Sequence, residues 1–190
     1  SGEDIGAPHM TWARSAIRNH GGAARCNVFT RIALALFGQL PWRAVPVTRA
    51  EVMLAPKWFP FHIDKVSYWS RTVMVPLTVL TVLKPEARNP RGIGIEELFV
   101  RPPDEEERYL TNPTGTWVGE AMLVLDHIGR ATERLWPRFL ERKAIDKAMA
   151  WVKERLNGED GLGGIFPAMA NTLMAFDALG YAHDDPDFVT

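Results

Sequence analysis

The densest group of reactive side chains in this sequence is an acidic cluster near its end, Asp184-Asp185-Pro186-Asp187. Carboxylates grouped in this way can hold Mg²⁺ for a diphosphate substrate. Carboxylates that directly precede a proline are also typical of a solvated turn, since both residue types favour turn conformations. We therefore predict a turn here rather than a metal site.

Other residue types that carry catalysis are sparse. The five histidines are His9, His20, His62, His127 and His183. They are scattered, and no Asp or Glu stands at a spacing that suggests a base with its orienting partner. Cys26 is the only cysteine, so the sequence offers neither an internal disulfide nor a Cys/His cluster for a tetrahedral metal. We predict no metal, nucleotide or flavin cofactor.

Charge and hydropathy exclude two broad classes of protein. Lysine and arginine number 22 against 23 aspartates and glutamates, so no electrostatic field favours nucleic acid as a partner. The longest apolar stretch, Thr72 to Leu83, is shorter than the roughly 20 residues needed to cross a bilayer and contains Pro76. We expect no transmembrane helix and see no secretory signal pattern in residues 1–8, which leaves insertion into one leaflet open.

Helical spacing of apolar residues organises the first part of the chain. It predicts a helix from Cys26 to Phe37, stopped by Gly38, and a shorter one that starts near Trp12 and ends near His20. We expect these two helices to form a hairpin. The proline-rich residues 39–63 predict short turns whose aromatic side chains plug a neighbouring core.

The middle of the chain predicts one helix followed by a long connection. Asp64 is placed to cap a helix that ends near Leu83, with a kink at Pro76. The β-branched residues of this stretch would equally suit strands. Residues 84–113 are rich in proline and charge and show no sustained period, which indicates a surface connection.

Helical periodicity returns in the last third of the sequence. It predicts a helix from Trp117, a second one up to Leu156, and a break at Trp136-Pro137 between them. A glycine-rich turn at 157–164 and a last helix from about Pro167, closed by Gly180, complete the pattern. The fold class is therefore all-α, built from antiparallel helix pairs in a single domain or a slice of a larger one.

Four segments of the sequence resemble squalene-hopene cyclases, a family of triterpene cyclases. They are GGAARCNVFTRIALALFG, LPWRAVPV, WFPFHIDKVSYWSRTVMVPL and LNGEDGLGGIFPAMANTLMAFDALGY. The last resembles the family's glycine-rich repeat, with Leu156 and Leu162 where the repeat normally carries a stacked Gln and Trp. The resemblance covers nearly the whole chain.

The resemblance implies a fold, an activity and partners. Residues 1–190 would be one internal segment of an α/α-barrel domain in a homodimeric protein. That protein would lie on the cytoplasmic side of the bacterial membrane, dip an apolar surface into it and take up squalene. The family's reaction, proton-initiated polycyclisation to hopene or hopanol, begins at a buried Asp of a D-x-D-D motif. This sequence contains no such motif, so we assign no catalytic residue and expect the segment alone to be inactive.

The same resemblance places substrate contacts on four positions of the last two segments. Trp69 matches a cavity-lining aromatic whose π-face can meet a carbocation, and core packing is the alternative. Ile165, Phe166 and Pro167 match a cavity segment, with Phe166 in place of a Gln found in some members. Packing at a helix start is the alternative there.

Further positions match the family's cavity, channel and membrane surface. Phe29 aligns with a cavity-proximal Phe, but it also lies on the apolar stripe of its helix, so we predict a core residue. Asn27 stands where some members carry an Arg. Val66 and Met74 align with the entrance channel, and Trp117 to Ile128 with a helix that meets the membrane. Core packing and a buried amphipathic helix are the respective alternatives.

Three rival interpretations remain open at this stage. An inverting glycosidase of α/α-barrel type would need two carboxylates facing each other at roughly 6.5–9.5 Å. A prenyltransferase-like subunit would need zinc ligands, against which the single cysteine argues. A non-catalytic helical-repeat module would need an exposed apolar face for a partner protein.

Overall fold

The computed structural model describes residues 4–60, 62–112, 115–156 and 161–189. Within these ranges the chain is helical and contains no β-strand, which confirms the all-α prediction. Residues 157–160 of the predicted glycine-rich turn lie outside the described residues. The α-helices are α1 (Pro8–Asn19), α2 (Val28–Leu36), α3 (Tyr68–Leu83), α4 (Trp117–Thr132), α5 (Arg138–Lys153), α6 (Phe166–Leu179) and α7 (Pro186–Val189).

The chain divides into two compact units. The first consists of Ser1–Pro46 and Glu86–His127, and the second of Val47–Pro85 and Ile128–Thr190. Short 3₁₀ turns accompany the α-helices in both units. They are Ala23–Arg25, Trp42–Ala44, Ala50–Leu54, Ile63–Lys65, Glu96–Leu98, Glu133–Leu135 and Gly161–Gly164.

The core of the first unit includes residues of the connection that we predicted to lie on the surface. Phe99 and Tyr109 are buried there together with alanines that follow α1 and with Leu40 and Ala44. Arg31 on α2 fixes this connection, since its Nη1 donates to the carbonyls of Tyr109 at 2.8 Å and Ala44 at 3.2 Å. The surface prediction was therefore wrong at these positions, because isolated apolar residues in an aperiodic stretch give no helical or strand signal.

Helices α1 and α2 are stabilised by different contacts. Helix α1 packs against the Glu96–Leu98 turn, and Arg18 Nη1 donates to the carbonyls of Glu97 at 3.1 Å and Phe99 at 2.7 Å. Helix α2 is capped by Asn27, whose Oδ1 accepts from the N–H of Thr30 at 2.9 Å. The predicted stop after α2 is confirmed, since Gly38 has a left-handed φ of 66°.

Helix α3 is the central element of the second unit. It packs against α5, α6 and the Ala50–Leu54 turn. Its buried residues are Thr72, Val75, Pro76, Leu77, Thr78, Val79, Leu80 and Thr81. Because the helix is covered on several sides, it has no clear polar stripe, and this is why its sequence was also compatible with strands.

The break before α5 and the two ends of α6 agree with the prediction. The break between α4 and α5 falls at Glu133–Pro137. Helix α6 begins with proline in its first turn and ends at Gly180, whose φ is 80°. Two aromatic side chains of the proline-rich segment, Trp58 and Phe59, are exposed and do not plug a core.

Candidate functional site

The first turn of α3 carries Trp69. Ser67 caps the helix: its hydroxyl accepts a hydrogen bond from the N–H of Ser70 at 3.3 Å. We had predicted Asp64 as the cap, and this is wrong because Asp64 lies one 3₁₀ turn too early. Asp64 Oδ1 instead accepts from Arg71 Nη1 at 3.2 Å.

The indole of Trp69 projects from this turn and remains 55% exposed. The ring of Tyr68 meets it edge-on, with a centroid distance of 5.9 Å and an interplanar angle of 74°. Trp69 is therefore not buried within the described structure, and its assignment to the substrate cavity stays a prediction. A large aromatic face is left available at the end of an otherwise buried helix.

The Gly161–Gly164 turn lies against the indole of Trp69. A Cβ built on Gly163 would overlap Cζ3 of the ring. Further along, Asn171 Nδ2 donates to the carbonyl of Val73 at 3.5 Å. Trp69 precedes Val73 and Gly163 precedes Asn171, so the two contacts follow the same order along both segments. Helices α3 and α6 therefore lie side by side and run in the same direction. The turn leads directly into Ile165, and the structure thus brings the segment 165–167 to the neighbourhood of Trp69.

Helix α6 is apolar on two faces. One face packs on the core through Ala168, Thr172, Ala175 and Phe176. The other face is exposed and consists of Phe166, Met169 and Leu173. The spacing of these three residues places them on one stripe of the helix.

Phe166 is the most exposed member of this stripe, at 76%. Pro167 is also exposed, and Ile165 is half-buried. We call the exposed apolar side chains of the first turn of α3, Tyr68 and Trp69, together with those of α6, Phe166, Met169 and Leu173, the apolar patch. Met169 and Leu173 were not predicted as site residues, although their spacing from Phe166 places all three on one face of a helix.

The two predicted channel residues are both partly accessible. Val66 precedes α3 and is half-buried, and Met74 is half-buried within α3. They belong to the second unit, as does the apolar patch. Their assignment to a channel stays a prediction.

Phe29 lies in the first unit, on α2, and its side chain is 66% exposed. Phe29 is therefore not a core residue of the described structure, and its assignment to the substrate cavity stays a prediction. The core face of α2 is instead formed by Ile32, Ala35 and Leu36. Phe29 lies in the first turn of α2 on the same face as Leu36, so a place on the apolar stripe does not by itself bury it.

Helix α4 has no buried residue. Its exposed apolar side chains are Trp117, Val118, Met122, Val124, Leu125 and Ile128. At 100° per residue these occupy one side of the helix, opposite Asp126, His127 and Arg130. The alternative of a buried amphipathic helix is excluded for this chain. No helix of the described residues is long and apolar enough to cross a membrane.

The apolar patch contains no charged side chain, and the shifted pKa values belong to other residues. In the first unit, burial raises the pKa of the Cys26 thiol and of the Tyr109 phenol and lowers the pKa of Arg31. In the second unit, a hydrogen bond to Asp187 raises the pKa of Lys153. Lys153 also lies over the ring of Tyr181, beyond the opposite end of α6 from the patch.

The acidic cluster at 184–187 forms the predicted turn and also begins α7, which was not predicted. Asp185 Oδ1 accepts from the N–H of Asp187 at 2.9 Å, and the Asp187 carboxylate pairs with Lys153. These carboxylates therefore have local structural partners. Across the described ranges, no three His, Cys, Asp or Glu side chains come together as a metal site.

Comparison with known proteins identifies the family. The model of the squalene-hopene cyclase N-terminal domain matches residues 1–190. The chain belongs to this family. It is 51% identical to a squalene–hopene cyclase of Bradyrhizobium diazoefficiens over 97% of the chain and 28% of that protein.

Two other relatives span a wide range of organisms. The identity is 50% with a squalene–hopene cyclase of Zymomonas mobilis, over 98% of this chain and 28% of that protein. It is 45% with a squalene-hopene cyclase of the yeast Schizosaccharomyces japonicus, over 100% of this chain and 29% of that protein. The chain thus spans less than a third of the length of these squalene-hopene cyclases and matches their N-terminal domain.

Proposed function

We propose that this chain is part of a protein that cyclises squalene to hopene or hopanol, and that it supplies part of the substrate cavity. The observation that carries the proposal is the match of residues 1–190 to the squalene-hopene cyclase N-terminal domain, with about half of the residues identical to named cyclases. The apolar patch fits this role because a polyene makes only dispersion and π contacts.

The side chains of the apolar patch suit the wall of a substrate cavity rather than the proton donor of the reaction. A carbocation needs aromatic faces near it and water kept away from it. Trp69 and Phe166 offer such faces, and Met169 and Leu173 add hydrocarbon surface. The proton donor of the reaction would come from a D-x-D-D motif, which this sequence lacks.

The composition of the patch argues against an inverting glycosidase. That mechanism requires two carboxylates across a cleft, whereas the patch is made of aromatic and aliphatic side chains. A helical-repeat binding module also uses exposed apolar surface. The match to a family of cyclases favours the enzyme.

We further propose that the exposed face of α4 contacts a membrane. Trp117, at one end of this face, is 81% exposed, and tryptophan favours the membrane interface because its ring is apolar and its N–H is polar. Leu125 and Ile128 would then lie in the acyl boundary. Such a contact would give squalene a direct route from the lipid, and the family resemblance implies a monotopic homodimer on the cytoplasmic side of the membrane.

The test uses the full reading frame that contains this segment, expressed and purified in detergent. Conversion of squalene is followed by gas chromatography for the wild type and for Trp69→Ala. Trp12→Ala, at an exposed tryptophan of α1, is the matched control. We expect cyclised product from the wild type and the control, and a lower yield or altered products from Trp69→Ala. A full-length protein that folds but leaves squalene unchanged would contradict the proposal.

A further inference from the structure

The indole of Trp69 packs closely against the backbone of Gly163. A Cβ on Gly163 would stand 3.1 Å from Cη2 and 3.3 Å from Cε3 of the ring, and would overlap Cζ3. Carbon atoms normally pack no closer than about 3.5 Å. The benzenoid part of the indole therefore occupies the space that any other residue at position 163 would need.

The position of Gly163 is itself fixed by its neighbour. Leu162 adopts the left-handed conformation, with φ 56° and ψ 29°, which is strained for a non-glycine residue. Its side chain is only 1% exposed, and its N–H donates to the carbonyl of Arg155 at 3.1 Å. Burial of this leucine and its hydrogen bond outweigh the strain, so the turn is anchored at Leu162.

Three residues in succession, Leu162, Gly163 and Gly164, have positive φ. The chain then enters α6 at Phe166, whose ring is exposed. The turn consequently sets two things at once. It provides the surface on which the Trp69 ring lies, and it starts the helix that carries the apolar stripe.

We propose that Gly163 is a positioning residue for the cyclisation, because it determines how far the Trp69 indole stands from the α6 wall of the cavity. The inference rests on the proposed function and names a residue that contacts no substrate itself. A side chain at position 163 would push the indole outward and change the room available to the folded polyene. Because a displacement of about 1 Å can cost up to about 10²-fold in rate, such a change would alter both product ratio and turnover.

The decisive comparison is between Gly163→Ala and Gly164→Ala in the full-length protein. Both glycines have a positive φ, 74° and 65°, so both variants carry a similar backbone strain. A Cβ on Gly164 would have nothing within 4 Å, whereas one on Gly163 would meet the indole. We expect Gly163→Ala to lower kcat for squalene by about tenfold or more and to shift the product ratio. Gly164→Ala should keep the wild-type product ratio.

A second measurement separates this inference from the proposed function. The melting temperatures of Gly163→Ala, Trp69→Ala and the double variant form a thermodynamic cycle that needs no activity. If the contact is real, Gly163→Ala lowers the Tm less when the indole is absent. Additive effects on the Tm, or equal product ratios for the Gly163 and Gly164 variants, would overturn the inference. A wild type that cyclises nothing would refute the proposed function and with it the role of Gly163 in cyclisation, while the cycle still decides the contact.

Discussion

The ring of Trp69 rests on the backbone of Gly163, with no room for a Cβ between them. Trp69 belongs to the first turn of α3 and Gly163 to the turn that precedes α6, and 94 residues separate them in the sequence. The contact joins the most specific segment of the family resemblance to its glycine-rich segment. It joins the exposed indole of Trp69 to the turn that leads into α6, the helix that carries the exposed stripe.

Truncating the Leu162 side chain should lower the stability of the fold without relieving the backbone strain at this position. Leu162→Ala keeps a non-glycine residue in the left-handed region and removes a side chain that is fully buried. We expect the free energy of unfolding to fall by about 2–5 kcal/mol, the usual cost of such a cavity. Urea unfolding measures this loss. Leu135→Ala, at an exposed leucine, should change the same quantity by no more than about 0.5 kcal/mol.

A polar group on the exposed stripe of α6 should impair turnover more than folding. Leu173→Asn puts an amide into the apolar patch, where a hydrocarbon could not satisfy its hydrogen bonds. We expect kcat/KM for squalene to fall by about tenfold, equivalent to about 1.4 kcal/mol, with little change in Tm. Leu135→Asn, the same substitution at an exposed leucine outside the patch, is the control. Equal activity of the two variants would show that the stripe does not touch substrate.

Charge on the apolar face of α4 should weaken membrane binding. Leu125→Glu replaces an exposed apolar side chain of that face with a carboxylate that would have to lose its hydration in the acyl boundary. Sedimentation with liposomes should show a smaller bound fraction of the full-length protein. Ile93→Glu, at an exposed isoleucine outside α4, should bind as the wild type does. Retention of full binding by Leu125→Glu would rule out this face as the contact.

Stability at high pH should depend on Tyr109. Burial raises the pKa of its phenol, so the folded state holds this proton more tightly than the unfolded state does. The stabilisation is fully present below the ordinary tyrosine pKa of about 10 and is lost as the pH rises through the raised value in the folded protein. Urea unfolding at about pH 8 and about pH 11 should therefore show a smaller decline for Tyr109→Phe than for the wild type.

At pH 8 Tyr109→Phe should lower the free energy of unfolding relative to the wild type. The Tyr109 hydroxyl donates to the carbonyl of Pro103 at 2.5 Å, and its loss should cost about 0.5–1.5 kcal/mol. The two unfolding curves should thus approach each other as the pH rises. Parallel pH dependences for the two proteins would exclude Tyr109 as the responsible group.

Local rules were sufficient to place several of the helix boundaries of this protein. Gly38 and Gly180 end helices because glycine takes the left-handed conformation at little cost, and Pro167 begins one because its missing N–H would be unpaired anyway. The four segments that resemble squalene-hopene cyclases also indicated the family, and they pointed to Trp69 and the segment 165–167. All these signals lie within a few neighbouring residues, so no knowledge of the tertiary structure was needed to read them.

Only the tertiary structure decided which of these residues meet and which are covered. Phe29 sits on an apolar stripe yet is exposed, whereas Phe99 and Tyr109, in an aperiodic segment, are buried. The contact of Trp69 with Gly163 depends on α3 and α6 packing side by side across a long sequence separation. Periodicity reports the face of a single element, but burial depends on which other elements pack there, and residues distant in sequence determine that packing.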